Sequence, residues 1–328
     1  MKQLDILLRQ LTKKQHKLRA LSPMAHDQQA HLEEWLKVEL TYSSNAIEGN
    51  TLTRIETAEV IEKGVGAVIS NKPLKDQLEA INHAKAIDFV RELARKRKGH
   101  QYITEQDILT IQQALLASIH DDWAGVYRKI EIFVRGSNTD FPPPMEVPVL
   151  MKRFTTWLSE QQGEHPVILA ADTHFKLASI HPFRDGNGRT ARLLMNLILL
   201  IHGYPMAIIR NEQRIEYLEL FDKVRKTDDM QPFYEFVIQA VGRSLDVYLN
   251  AAKEKQITSL RIGELANKTG ISEHTIRFWT NEGLIKAERT TGNYRLYDSS
   301  TITVIREIQR LKKELRLTLP EIKERLRK

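Results

Sequence analysis

His181-Pro182-Phe183-Arg184-Asp185-Gly186-Asn187-Gly188-Arg189-Thr190-Ala191-Arg192 is the stretch whose reading decides the fold. Before it, Ile168, Leu169, Ala171, His174, Phe175, Leu177 and Ile180 recur at helical spacing. After it, Leu193, Leu194, Leu197, Leu199, Leu200 and Ile201 are too densely apolar for a surface element and predict a buried central helix. The polar run is therefore a loop between two core helices, opening onto the start of the second.

Such a loop suits an anion. Gly186, Asn187 and Gly188 are expected to take positive φ and turn successive N–H groups inward as a nest. The following helix adds unpaired N–H groups and the positive end of its dipole. Arg189 and Arg192 stand one turn apart, so both guanidiniums can face a polyphosphate. Asp185 supplies a hard oxygen for a Mg²⁺ ion already clamped by phosphates. His181 is the group near the loop whose ordinary pKa lets it accept a proton at neutral pH. A base, a metal carboxylate, a nest and two arginines describe phosphate-anhydride chemistry.

The run also resembles, position by position, the HPFx[D/E]GNGRxxR signature of Fic-domain enzymes, which move AMP from ATP to protein hydroxyls. The resemblance implies His181 as general base for a Ser, Thr or Tyr hydroxyl of a target protein, with Phe183 as a packing anchor. It implies Asp185 on Mg²⁺, Gly186, Asn187 and Gly188 around the α-phosphate, Arg189 on the β-phosphate and Arg192 on the γ-phosphate. Gly188 stands where related kinase-like toxins carry Lys, which favours nucleotidyl over phosphoryl transfer. Tyr217 falls where family members place an aromatic near the adenine; a lone Tyr on an apolar helical face equally suits a core.

Composition fits this reading. With 328 residues, 41% hydrophobic and 28% charged, the chain can bury a sizeable core and hold two or more domains. It has no cysteine, hence no disulfide framework, thiol nucleophile or Cys-based zinc site. The amphipathic start, with Leu4, Leu7, Leu8 and Leu11, is not a signal core, and no stretch approaches a membrane span. A cytoplasmic protein is the expectation. The net charge of +7 is uneven: residues 257–328 hold 15 Lys+Arg against 9 Asp+Glu, leaving 34 against 33 for the rest. That asymmetry points to nucleic acid on one domain only.

Taken in order, helices are expected over residues 1–24, 27–42, 73–98 and from Thr104, with Gly49 as a stop and Thr53–Glu56 as a capping box. Ser44-x-x-x-Glu48-Gly49 resembles the inhibitory [S/T]xxxE[G/N] motif of Fic proteins that carry their own blocking helix. Glu48 would pair with Arg192 and take the γ-phosphate's place. Gly125 to Val134 alternates like a strand, Gly136-Ser137-Asn138 is turn-like, and Pro142-Pro143-Pro144 ends pairing. The family places a β-hairpin flap here, which holds the target as an added strand.

Residues 251–258 read as a polar linker, open to a helical form. Beyond it Ile262, Leu265 and Ala266 predict a short helix, Thr269-Gly270-Ile271 a turn, and Ser272 the cap of a second helix, which makes a helix-turn-helix. Arg289 to Tyr297 reads as a hairpin wing. The layout resembles the MerR-type winged helix, which implies Arg277 on DNA from the recognition helix, with Arg289, Arg295 and Tyr297 contacting it from the wing. The family's long dimerisation helix and metal-sensing cysteines are not in the sequence, so a homodimer would form through other segments.

The expected architecture is mainly α: a Fic-type helical bundle with a short hairpin flap, plus a small winged helix. Its expected parts are an N-terminal helical region at 1–100, a catalytic core at 101–250, a linker and a DNA-binding module at 259–328. The expected activity is autoinhibited AMP transfer from ATP with Mg²⁺ to a target protein, or its reverse. The alternative is a transcription regulator whose Fic domain serves as a nucleotide sensor or dimer platform.

Overall fold

Helix starts are set by side chains that satisfy otherwise orphaned N–H groups. Thr53 Oγ1 accepts from the Glu56 N–H while Glu56 Oε2 accepts from the Thr53 N–H, and Thr104 with Asp107 repeats the exchange. Ser272 Oγ caps through the Thr275 N–H, and Glu321 accepts from the Thr318 N–H. The starts at Thr53, Thr104 and Ser272 are ones the sequence predicts.

The computed structural model describes residues 2–21, 26–67, 69–132, 140–289, 294–315 and 317–326. Its helices are α1 (Lys2–Leu21), α2 (His26–Ile47), α3 (Arg54–Lys63), α4 (Leu74–Lys96), α5 (Glu105–Leu116), α6 (Val147–Glu160), α7 (Pro166–Ile180), α8 (Asn187–Ile201), α9 (Arg214–Thr227) and α10 (Gln231–Thr258). Then come β1 (Ser259–Arg261), α11 (Ile262–Thr269), α12 (Glu273–Asn281), β2 (Glu288–Arg289), β3 (Arg295–Asp298), α13 (Thr301–Glu314) and α14 (Leu319–Arg325). The fold is mainly α, with one small antiparallel sheet of order β1-β3-β2 among the described residues. The chain divides into two compact units, Met1–Lys17 with Ala30–Val247 and Leu18–Gln29 with Tyr248–Lys328.

In the first unit α8 is the centre. It packs against α7, α4 and α5, and its residues from Arg189 to Leu199 are all buried. In the second unit α11 and α12 form the helix-turn-helix, turned at Gly270 (φ 71), over a core that includes Leu265, Ile276, Trp279 and Ile305. Both arms of the wing are present, Glu288 opposite Leu296 and Arg289 opposite Arg295, while its turn at 290–293 lies outside the described residues.

Two elements differ from expectation. α2 continues five residues past Tyr42 to Ile47, because Ser43, Ser44 and Asn45 are buried rather than loop-like; Gly49 (φ 96) is the stop, as read. Among the described residues the segment from Gly125 pairs through one antiparallel bridge, Tyr127 to Phe183, while residues 133–139, with the expected flap turn at 136–138, lie outside them. Residues 251–258, read as a linker open to a helical form, are the end of α10. A polar composition does not stop a helix that meets no Pro or Gly.

Candidate active site

α7 ends because His181 adopts the left-handed conformation (φ 51, ψ 58), with its N–H on Leu177 O at 3.0 Å. A non-glycine residue there costs about 1 kcal/mol, so the surroundings must hold it. Arg128 does much of that holding. Its Nε donates to His181 O at 2.8 Å and its Nη1 to Ile130 O at 3.3 Å, Nη2 reaches Pro142 O at 2.5 Å, and its N–H donates to Pro182 O at 2.9 Å. The loop then closes on itself. The Phe183 N–H donates to Asn187 Oδ1 and Asn187 Nδ2 donates to Phe183 O, each at 2.8 Å, with Phe183 fully buried.

That geometry corrects the expected nest. Only Gly186 takes positive φ (82); Asn187 and Gly188 are already the first residues of α8. The Asn187 side chain is spent on the loop, so toward an anion it offers its backbone N–H. Gly188 is needed for a different reason: a Cβ there would collide with Glu48 Oε1 and press on Arg192 Nη1.

His181 Nδ1 lies 3.2 Å from Ala178 O, which places the ring proton on Nδ1 and leaves the Nε2 lone pair outward. Phe141 covers the ring at 4.1 Å between centroids. Burial pushes the imidazole pKa down to about 4, against the Ala178 carbonyl and Glu48, which raise it; Arg128 and Arg225 lower it further. The ring is therefore a neutral acceptor at physiological pH.

The two arginines of α8 are gripped from opposite sides. Arg192 donates from Nε to Ser44 Oγ and from Nη2 to Ser44 O, both at 2.9 Å, and from Nη2 to Glu48 Oε1 at 2.7 Å. Burial works to raise the Glu48 pKa, but Arg192 and then Arg189 outweigh it and hold the carboxyl below its ordinary value. Arg189, only 2% exposed at its side chain, meets Asp185 Oδ1 at 3.3 Å and Glu79 Oε1 at 3.0 Å. The Glu79 contact is an ion pair without donor alignment: Arg189 Nε and Nη1 are buried with no hydrogen-bond acceptor. Two buried donors beside a carboxylate suit a phosphate and its cation. Asp185 would supply one oxygen, and no group of three or more metal-ligating side chains occurs among the described residues, so phosphate oxygens and water would supply the rest.

Tyr217 is buried at 3% exposure. Its hydroxyl lies 2.8 Å from His174 Nε2 and 3.5 Å from Arg192 Nη1, within a cluster with Phe221 and Phe236. Tyr217 thus sits in the core beside Arg192, in keeping with the core reading that the sequence left open. Glu79 and Arg128 were missed from sequence. An ionisable residue within an apolar helical pattern was the available signal for Glu79; Arg128 stood in the segment that resembles the flap, with its hold on His181 not foreseen.

In the second unit Arg277 is 59% exposed and paired with Glu273 at 3.0 Å, and Arg295 donates to Asn281 Oδ1 at 2.7 Å. The Arg289 side chain lies outside the described residues. Tyr297 corrects an expectation. It is fully buried, with its hydroxyl 3.1 Å from Thr280 Oγ1, so it belongs to the core and cannot reach a phosphate.

Comparison with known proteins agrees with both units. The Fic/DOC family matches residues 102–199 and the MerR HTH family regulatory proteins match 260–328. Protein adenylyltransferase Fic of Drosophila mojavensis is 37% identical over 217 residues, covering 65% of this chain and 41% of its own length. That of Nematostella vectensis is 38% identical over 210 residues, covering 63% and 48%. The chain thus spans less than half the length of these curated relatives. The solved structure of Fic-1 from C. elegans superposes with a TM-score of 0.69 at 29% identity, over 76% of this chain and 73% of that one. No helix among the described residues is long and apolar enough to cross a membrane.

Proposed function

From a Fic domain and a MerR-type helix-turn-helix domain carried in one chain, we propose an autoinhibited protein adenylyltransferase with a DNA-binding module. Residues 101–250 are its catalytic core and 259–328 the DNA-binding part. The observation that carries this reading is the Glu48 carboxylate, 2.7 Å from Arg192 and seated over the missing side chain of Gly188 at the mouth of α8. An anion at a helix N-terminus between two buried arginines marks where phosphate belongs.

With ATP in place, the target hydroxyl oxygen attacks the α-phosphorus, the bond to the pyrophosphate oxygen breaks, and the hydroxyl proton passes to His181 Nε2. The backbone N–H groups opening α8 take the growing charge on the α-phosphate oxygens, Arg189 holds the β-phosphate, and Arg192 the γ-phosphate. Magnesium, held by Asp185, would neutralise the phosphates. While Glu48 keeps Arg192, the triphosphate cannot extend, so the α-phosphorus misses the line of attack.

Incubation with α-³²P-labelled ATP and Mg²⁺ tests this in wild type, Glu48→Gly and Glu48→Gly/His181→Ala. Label is expected to enter protein in Glu48→Gly at least 100-fold above wild type, and to vanish when His181 is also replaced. Absence of label in all three forms, with nucleotide still bound, would instead make the Fic domain a sensor for the DNA-binding part.

A further inference from the structure

Gln112, on α5, is fully buried. A buried amide is costly unless its polar atoms are used. Here they join three chain segments: Nε2 donates to Asp185 O at 3.1 Å and lies 3.4 Å from Trp123 O, and Oε1 accepts from the Gly125 N–H at 2.5 Å. The side chain also lies against the Gly186 turn, where an added Cβ would stand 3.9 Å from Gln112 Cγ.

A trans peptide is planar, with its C=O and N–H pointing opposite ways. Because Gln112 ties the Asp185 carbonyl on one side, the Gly186 N–H must face the other. On that side Asp185 Oδ1 accepts it at 2.6 Å and also meets Arg189 Nη2 at 3.3 Å. Glycine at φ 82 is where a peptide flips most easily, so the direction of this N–H has to be imposed from outside the loop. Arg184, stacked 3.7 Å over the Trp123 ring, ties the same two segments a second time.

We propose that Gln112 is a positioning residue that locks the Asp185–Gly186 peptide so that the Gly186 N–H faces the phosphate side of the loop. When Asp185 turns to a metal ion, that N–H is released to the nucleotide. The assignment of a phosphate to this side rests on the adenylyl-transfer reading.

Asp185–Gly186 is the only Asp–Gly pair in the sequence. Carbonyl-¹³C aspartate with ¹⁵N-glycine therefore yields one amide resonance for one peptide. In Glu48→Gly protein, titration with Mg²⁺ and a non-hydrolysable ATP analogue is expected to shift it. Gln112→Met, similar in volume but without donor or acceptor, should lose the shift and about 100-fold in kcat, the usual scale for one lost oxyanion donor, with KM changed less than threefold. Gln112→Glu supplies a donor only while its carboxyl is protonated. It should keep shift and turnover at low pH and lose both as the pH rises, a profile that a merely structural role would not produce.

Retention of the shift and of turnover within twofold in Gln112→Met overturns the proposal. So does a Gln112→Glu form that follows the parent's pH profile, which keeps the test decisive even where Gln112→Met fails to fold. If the Glu48→Gly parent transfers no AMP but its resonance shifts, the transfer reading fails and Gln112 is judged by the resonance alone.

Discussion

The start of α8 and the helix-turn-helix both present arginines, yet they hold them in opposite ways. Arg189 and Arg192 are buried, Arg189 against Glu79 and Asp185, and Arg192 against Ser44 and Glu48. Arg277 lies in solvent, leaning on Glu273 of its own helix. The contrast separates two uses of positive charge. Buried guanidiniums make a preorganised site for a compact polyanion, where desolvation strengthens each contact. Exposed ones give a screened, adaptable surface suited to the long field of a nucleic acid.

The largest effect should come from breaking the buried side. Arg189→Met leaves Glu79, itself only 7% exposed, with the longer 3.8 Å contact to Lys75 as its remaining ion pair, and removal of one partner of a buried pair costs up to roughly 3–5 kcal/mol. Chemical denaturation should show that loss; a change below about 1 kcal/mol would mean the pair is no more than a surface-type contact.

Lowering pH should act next. Burial holds His83 well below its ordinary pKa, His174 at about 3 and His181 at about 4. On unfolding, each returns to about 6.5, so below that pH the unfolded chain binds more protons. The stability they contribute is complete above pH 6.5 and drains away toward pH 4. Calorimetry of the full chain should show melting fall by a few degrees or more between pH 7.5 and 5, and flat melting would contradict the burial of these rings.

The smallest effect belongs to the exposed side. Arg277→Ala should leave melting unchanged, weaken duplex DNA binding several-fold and reduce the salt slope by about one. Tyr297→Phe should leave DNA binding intact, since its ring is enclosed. Equal loss of binding in both variants would erase the distinction.

These contrasts also explain what could be read in advance. The catalytic loop was legible because its chemistry is consecutive: base, carboxylate, glycines and arginines follow one another within twelve residues. Helix starts were legible because a capping box is local. Gln112, Arg128 and Glu79 were not, since each earns its role from partners tens of residues away. Gly188 looked like a turn glycine and is one that leaves room; only the neighbouring Glu48 reveals that. Tyr297 was assigned outward by likeness to a family pattern, whereas β3 turns it into the core and Asp298 outward.

The pocket over Gly188 is filled by the chain's own carboxylate, and whatever enters must evict it. Under the proposed function, brake and fuel would contend for one seat, and inhibition would be a matter of mass action. Nucleotide abundance, or any contact that loosens the last turn of α2, becomes a dial on the same equilibrium rather than a separate switch.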